Sequence, residues 1–117
     1  MAVFKSREVV FQEHKFGGDG TAVIEKLMNV AEYHNQVKVF NLVTLKPGCS
    51  LGYHEHHGNS ETYFVLEGEG FYNDNGTEMM VGPGVVTFCP DGEGHGIKNT
   101  GLVDFKYIAL VVNTPAK

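Results

Sequence analysis

A chain of 117 residues carries one domain with a buried core and leaves no room for a separate substrate domain. Its 9 Lys plus Arg, scattered among 14 Asp plus Glu, give a formal charge of −5, which argues against a phosphate-tracking surface and so against nucleic acid as a partner. No apolar run reaches the length of a membrane span and the first residues lack the apolar core of a secretory signal; with Cys49 and Cys89 too few for a disulfide scaffold, a cytoplasmic location away from membranes is expected.

Residues 1–36 read as an N-terminal arm with the first strands. Within them, the Gly-Gly-Asp-Gly run at 17–20 is a loop by composition; it lacks the strand-to-helix context and the Lys-Ser/Thr that a phosphate-binding loop needs. Residues 21–28 alternate partly like a strand, and 28–34 suit a short helical turn. From Val37 the pattern sharpens. Val37–Leu45 is rich in β-branched and aromatic residues and stops at Lys46-Pro47-Gly48, so it is a strand ending in a turn. Residues 62–66 repeat the pattern. Phe71-Tyr72 and Thr77–Val81 flank Asn75-Gly76, a pair suited to the positive φ angles of a tight hairpin, so those strands are expected to pair. Gly82-Pro83-Gly84 and the Gly-containing run at 90–94 punctuate the remaining strands, which end near Val112.

Fifteen glycines against 4 prolines, with short strands and no crossover helix between them, predict an all-β domain of the sandwich or barrel type. One domain spanning 1–117 is expected, with its core in 37–112.

The chemistry concentrates in two of the turns. Side chains alternate faces along a strand, so His54 and His56 project to one side, roughly 7 Å apart along the backbone. Glu61 follows a reversal that Gly58 and Asn59 permit, and His95 arrives on another hairpin after Gly92 and Gly94. Three imidazoles and one carboxylate brought together suit a divalent transition metal, Mn, Fe, Co, Ni, Cu or Zn, and affinity order alone does not choose among them. That ligand set leaves a dication with one surplus positive charge and open positions. The expected partner is therefore a small anionic or chelating organic molecule.

These segments resemble the two motifs of the cupin superfamily, G(X)5HXH(X)3–4E(X)6G and G(X)5PXG(X)2H(X)3N. Gly48, His54, His56, Glu61 and Gly68 fill the first; Gly84, Pro90, Gly92, His95 and Asn99 fill the second, so the match covers about half the chain. The resemblance implies an antiparallel jelly-roll barrel (a double-stranded β-helix) with a metal inside one mouth, held by His54, His56, Glu61 and His95. It further implies a homodimer, with Asn99 in a structural role. The short single-domain members carry oxalate-decarboxylase-like or sugar-phosphate-isomerase-like labels that rest on fold, which does not set chemistry, whereas dioxygenase chemistry asks for fewer side chains beyond the ligands. A metal-dependent enzyme is one expectation and a non-enzymatic binding module the alternative.

Other residues carry less. His57 is expected in an exposed loop, Tyr53, Tyr63 and Tyr72 in the barrel wall, and Cys89 as a small buried apolar residue, with a place at the border of the pocket as the alternative. Decarboxylation would need a mobile acid, for which only Glu55, Glu67, Asp91 and Glu93 are unassigned; sugar-phosphate isomerisation would need cations near the site, and Lys98 is the only one expected there. Leu42, Val43, Phe64, Leu66, Val86, Phe88, Ile108 and Leu110 are assigned to the core on both faces of the wall. Dimerisation is expected to use sheet pairing that involves the N-terminal segment.

Overall fold

The computed structural model describes residues 2–115. The strands are β1 (Glu8–Glu13), β2 (Thr21–Lys26), β3 (Val37–Leu45), β4 (Ser50–Glu55), β5 (Asn59–Glu67), β6 (Gly70–Asp74), β7 (Thr77–Val81), β8 (Val86–Cys89), β9 (Gly94–Lys98) and β10 (Phe105–Asn113), with short turns at Lys15–Gly17 and Val30–Tyr33. The N-terminal strand and helical turn expected around 21–34 are both present, and β6 and β7 pair across Asn75-Gly76, both at positive φ.

All pairings are antiparallel, in a six-stranded sheet ordered β1-β2-β3-β10-β5-β8 and a four-stranded sheet ordered β4-β9-β6-β7. The all-β jelly-roll class holds, but the expected closed barrel is corrected. The two sheets form a sandwich, since among the described residues no hydrogen-bonded ladder joins them and the larger sheet outruns the smaller.

Alternation builds the interior. In β10, Phe105, Tyr107, Ala109 and Val111 turn inward, and the first three join one core with Val43 and Leu45 of β3, Tyr63 and Val65 of β5, and Leu51, Tyr72 and Ile97 of the smaller sheet. The core assignment made from sequence is largely corrected. Of its eight residues only Val43 is buried; Leu42, Ile108 and Leu110 are half-buried, and Phe64, Leu66, Val86 and Phe88 are exposed. Register gives the reason: Leu42, Ile108, Phe64 and Val86 are cross-strand neighbours in a row on the outer face of the large sheet.

The N-terminal segment is clamped to the sandwich by two glycines. A Cβ on Gly18 would lie 2.3 Å from the Ser50 carbonyl oxygen, and one on Gly52 would lie 2.0 Å from the Phe16 carbonyl oxygen. The Lys15–Gly17 turn therefore lies backbone to backbone on β4, and Ser50 reinforces it by accepting from the Asp19 N–H at 2.8 Å.

Candidate metal centre

Both sheets contribute to one cluster. Past a register shift in the β4–β9 ladder, His54 lies directly opposite His95. His56 follows the end of β4, and Glu61 rises from β5 of the other sheet, sharing its inward face with Tyr63 and Val65. Gly94 serves the approach of His95, because a Cβ there would meet the Tyr53 hydroxyl at 2.3 Å.

The ligating atoms of His54, His56, Glu61 and His95 lie within 4.8 Å of one another. Glu61 Oε1 is 2.9 Å from His95 Nε2, 3.1 Å from His56 Nε2 and 3.8 Å from His54 Nε2. The Nε2 atoms of His56 and His95 are 3.1 Å apart. Two donors each about 2.1 Å from one ion and at right angles to each other would be separated by about 3 Å, so most of these spacings fit adjacent positions around a single cation.

The outer ring nitrogens show why the inner ones are available. His54 Nδ1 lies 2.8 Å from the Gly52 carbonyl, which can only accept; His56 Nδ1 lies 2.6 Å from Asn59 Oδ1, and His95 Nδ1 lies 2.8 Å from the Tyr72 hydroxyl. The Gly52 carbonyl and Asn59 Oδ1 only accept, so they put the proton of His54 and His56 on Nδ1 and turn those Nε2 lone pairs toward the common point; the Tyr72 hydroxyl can serve His95 in the same way by accepting from its Nδ1, the arrangement expected around metal-binding histidines. Three such lone pairs and a carboxylate facing one another in a buried place repel unless a cation sits between them. The residues fit a divalent transition ion, and all four side chains singled out from sequence come together.

Protonation follows the same logic. Without an ion the imidazoles can carry a proton on Nε2 instead; burial pushes the Glu61 carboxyl up, but hydrogen bonds donated in that state by His54, His56 and His95 outweigh it and hold the group well below the usual carboxylate range. The hydrogen bond to Glu61 raises His56, while burial lowers His95. In metal-free protein, the depressed Glu61 contributes stability above its ordinary 4.5 that is lost as pH falls through the native value; the raised His56 contributes below its ordinary 6.5 and loses this as pH rises through the native value. His95 opposes them, since a neutral buried imidazole costs stability as pH drops below 6.5. The melting-temperature advantage of chelator-treated wild type over Glu61→Gln should therefore peak between about pH 4.5 and 6.5. A difference flat from acid to alkaline pH in thermal melts would contradict this ion-pair account.

The cluster opens into a cavity of about 1100 Å³ bounded by the inner faces of the N-terminal strands and β3, β5 and β10. Tyr63 stacks on His95 with ring centroids 4.8 Å apart, and Tyr63 and Tyr107 also line the cavity, their buried hydroxyls without hydrogen-bond partners among the described residues. Burial drives both phenols well above their usual range and Tyr72 to about 12, so these hydroxyls stay protonated.

The other expected residues divide. His57 is exposed and 3.7 Å from Glu55, as a loop residue should be. Cys89 is buried, its thiol pushed up to about 11 by burial, and it does not line the cavity. Tyr53 is half-exposed, unlike the wall position expected of it. Asp91 is structural, accepting from the Gly58 N–H and the Thr114 hydroxyl. Asn99 is structural too: its amide donates to the carbonyls of Leu45 and Val103. Lys98 pairs with Asp19 at 3.1 Å on the surface, outside the cavity, whereas Lys15, Lys26 and Lys38, which sequence reasoning missed, line it. Lys15 and Lys26 lie in the N-terminal segment and Lys38 at the start of β3, none of them within a motif.

The comparisons with known proteins agree with this geometry. The family model for the cupin domain matches residues 41–112. The oxalate-binding protein of Thermotoga maritima is 38% identical over 96 residues, which cover 82% of this chain and 79% of that protein. The crystal structure of a predicted oxalate decarboxylase from the same organism superposes with a TM-score of 0.92 at 33% identity, covering 97% of this chain and all of that one. The polyketide cyclase RemF of Streptomyces resistomycificus shares the fold alone, at a TM-score of 0.74 and 22% identity over 100% of this chain and 88% of that one. With its two motifs filled, its jelly-roll sheets and a matching domain model over more than half its length, the chain belongs to the cupin family.

Proposed function

We propose that His54, His56, Glu61 and His95 hold a divalent transition ion and that the protein uses it to bind a small dicarboxylate of the oxalate type. The observation that carries the reading is the convergence of three imidazole nitrogens and one carboxylate on a single point, with acceptors fixing the outer nitrogens of His54 and His56. A bound dication would polarise a ligand oxygen as a Lewis acid and keep one positive charge in excess, which attracts an oxygen anion. A relative that is 38% identical and named for oxalate binding supports the same ligand class.

This chain's own residues favour binding over turnover. Of the carboxylates lining the cavity, Glu61 is committed to the cluster, Glu8 pairs with Lys26, and Glu55 faces His57 in solvent. None of them is placed to deliver a proton, and the raised phenols of Tyr63 and Tyr107 are suited to donating hydrogen bonds rather than surrendering protons. Dioxygenase-type chemistry needs fewer protein groups and is the second reading, favoured by the size of the cavity above the cluster. Calorimetry with oxalate on metal-loaded and chelator-treated protein, followed by product analysis, separates them. Heat of binding only with metal supports the proposal, product adds turnover, and binding unaffected by chelation contradicts it.

We also propose a homodimer. The outer face of β3, β10, β5 and β8 exposes Phe64, Leu66, Val86 and Phe88, and the edge strand β1 adds Val9 and Phe11, an apolar surface that a second copy would bury. Light scattering should give twice the chain mass for wild type and a monomer for Phe64→Lys combined with Phe88→Lys. A monomeric wild type would refute the dimer.

A further inference from the structure

Backbone strain in the N-terminal segment gathers at the turn that covers the cluster. His14 at φ 51 and Phe16 at φ 54 are two of five non-glycine residues with positive φ among the described residues, and bulky side chains keep that conformation only where their surroundings enforce it. Here the enforcement is the backbone contact of Phe16 and Gly18 with Ser50 and Gly52 of β4. The result is that the Phe16 ring lies flat on His54, with centroids 3.8 Å apart and planes 15° from parallel, and the Lys15 ammonium lies 4.8 Å from the centre of the Phe16 ring. Lys15 lines the same cavity as His54 and Glu61.

Lys15 is half-buried, and burial pulls its pKa below the ordinary value, against an upward pull from Glu61. Its ammonium donates to the neutral Gln12 side chain and, among the described residues, has no carboxylate within ion-pair distance. Lys26, in the same cavity, is neutralised by Glu8. Lys38 also lines the cavity but is exposed, where solvent screens it. A partly desolvated cation kept without a partner is costly unless an anion arrives to meet it.

We propose that Lys15 is the specificity-determining residue of the site, meeting the outward oxygens of a chelating dianion so that dicarboxylates are preferred over monoanionic chelators. The inference rests on the reading of the cluster as a metal site that takes a carboxylate ligand. Charge count is the reason. The ion with Glu61 leaves one positive charge and Lys15 adds a second, so a dianion neutralises the pocket where a monoanion leaves one charge unmatched. An oxalate that chelates through one oxygen of each carboxylate turns its other two oxygens away from the ion, available to an ammonium.

The test is calorimetry on the full chain loaded with Co(II), titrated with oxalate and with oxamate, in which a neutral amide replaces one carboxylate. Lys15→Met and Lys15→Gln should keep wild-type metal content, lose roughly ten- to a hundredfold in oxalate affinity and change oxamate affinity far less; Lys15→Arg should recover most of the loss. Wild-type oxalate affinity in both neutral variants would overturn the role of Lys15 and leave the metal-site reading standing. Equal losses for oxalate and oxamate would overturn the charge-matching argument. Metal-loaded wild type that binds no oxalate would overturn both the inference and the reading beneath it.

Discussion

Replacing His56 with alanine is expected to lower metal affinity about a hundredfold or more while the sandwich stays folded. One ligand lost from a set of four removes on the order of 3 kcal/mol of binding, and the surviving Glu61 keeps two of its three imidazole neighbours. The apolar core contains none of the histidines. His95→Ala should empty the site as fully but cost more stability, because His95 is completely buried, stacks on Tyr63 and meets Tyr72, both members of the core. Tyr72→Phe, which removes only the hydroxyl beside His95 Nδ1, should weaken metal binding about tenfold. Metal content by elemental analysis and circular dichroism of each variant check the series. Wild-type metal content in His56→Ala, or unfolding of the metal-free wild type, would contradict it.

Gly52→Ala is expected to destabilise the protein by about 2–3 kcal/mol, roughly 10 °C in melting temperature for a domain of this size. The added methyl group would lie 2.0 Å from the Phe16 carbonyl oxygen, a backbone atom that cannot rotate away, so the whole Lys15–Gly17 turn must lift from β4. His54 would then lose the ring stacked on it at 3.8 Å, and the cavity would lose the wall that carries Lys15. A melt within about 2 °C of wild type would show that the turn yields without strain and that the clamp is weaker than its geometry implies.

How much of this was legible in the sequence depended on whether a residue's role was local. The ligands were legible because strand alternation and turn glycines place His54, His56, Glu61 and His95 whatever the rest of the chain does, and Asn99 was legible with them through its motif. The strand order beyond neighbouring hairpins was not. The outer face of the large sheet misled for a physical reason: Phe64 and Val86 are as apolar as the buried Tyr63 and Val65, so composition cannot tell an inward face from one left open on a single chain. The N-terminal contribution was hidden because it is entirely long-range. Nothing local in Lys15 or Phe16 says that Gly18 and Gly52 will press this turn onto β4, so Lys98 looked like the only cation near the site while Lys15 occupied the cavity.

The central claim is that four side chains from two facing sheets jointly hold one transition ion. Its most direct measurement is a crystal structure of untreated and metal-soaked protein with anomalous diffraction at the metal edges, paired with elemental analysis. The account predicts one ion per chain, bound by the Nε2 atoms of His54, His56 and His95 and a carboxylate oxygen of Glu61. An anomalous peak elsewhere, or none between these four residues after soaking with each of the candidate metals, would contradict it.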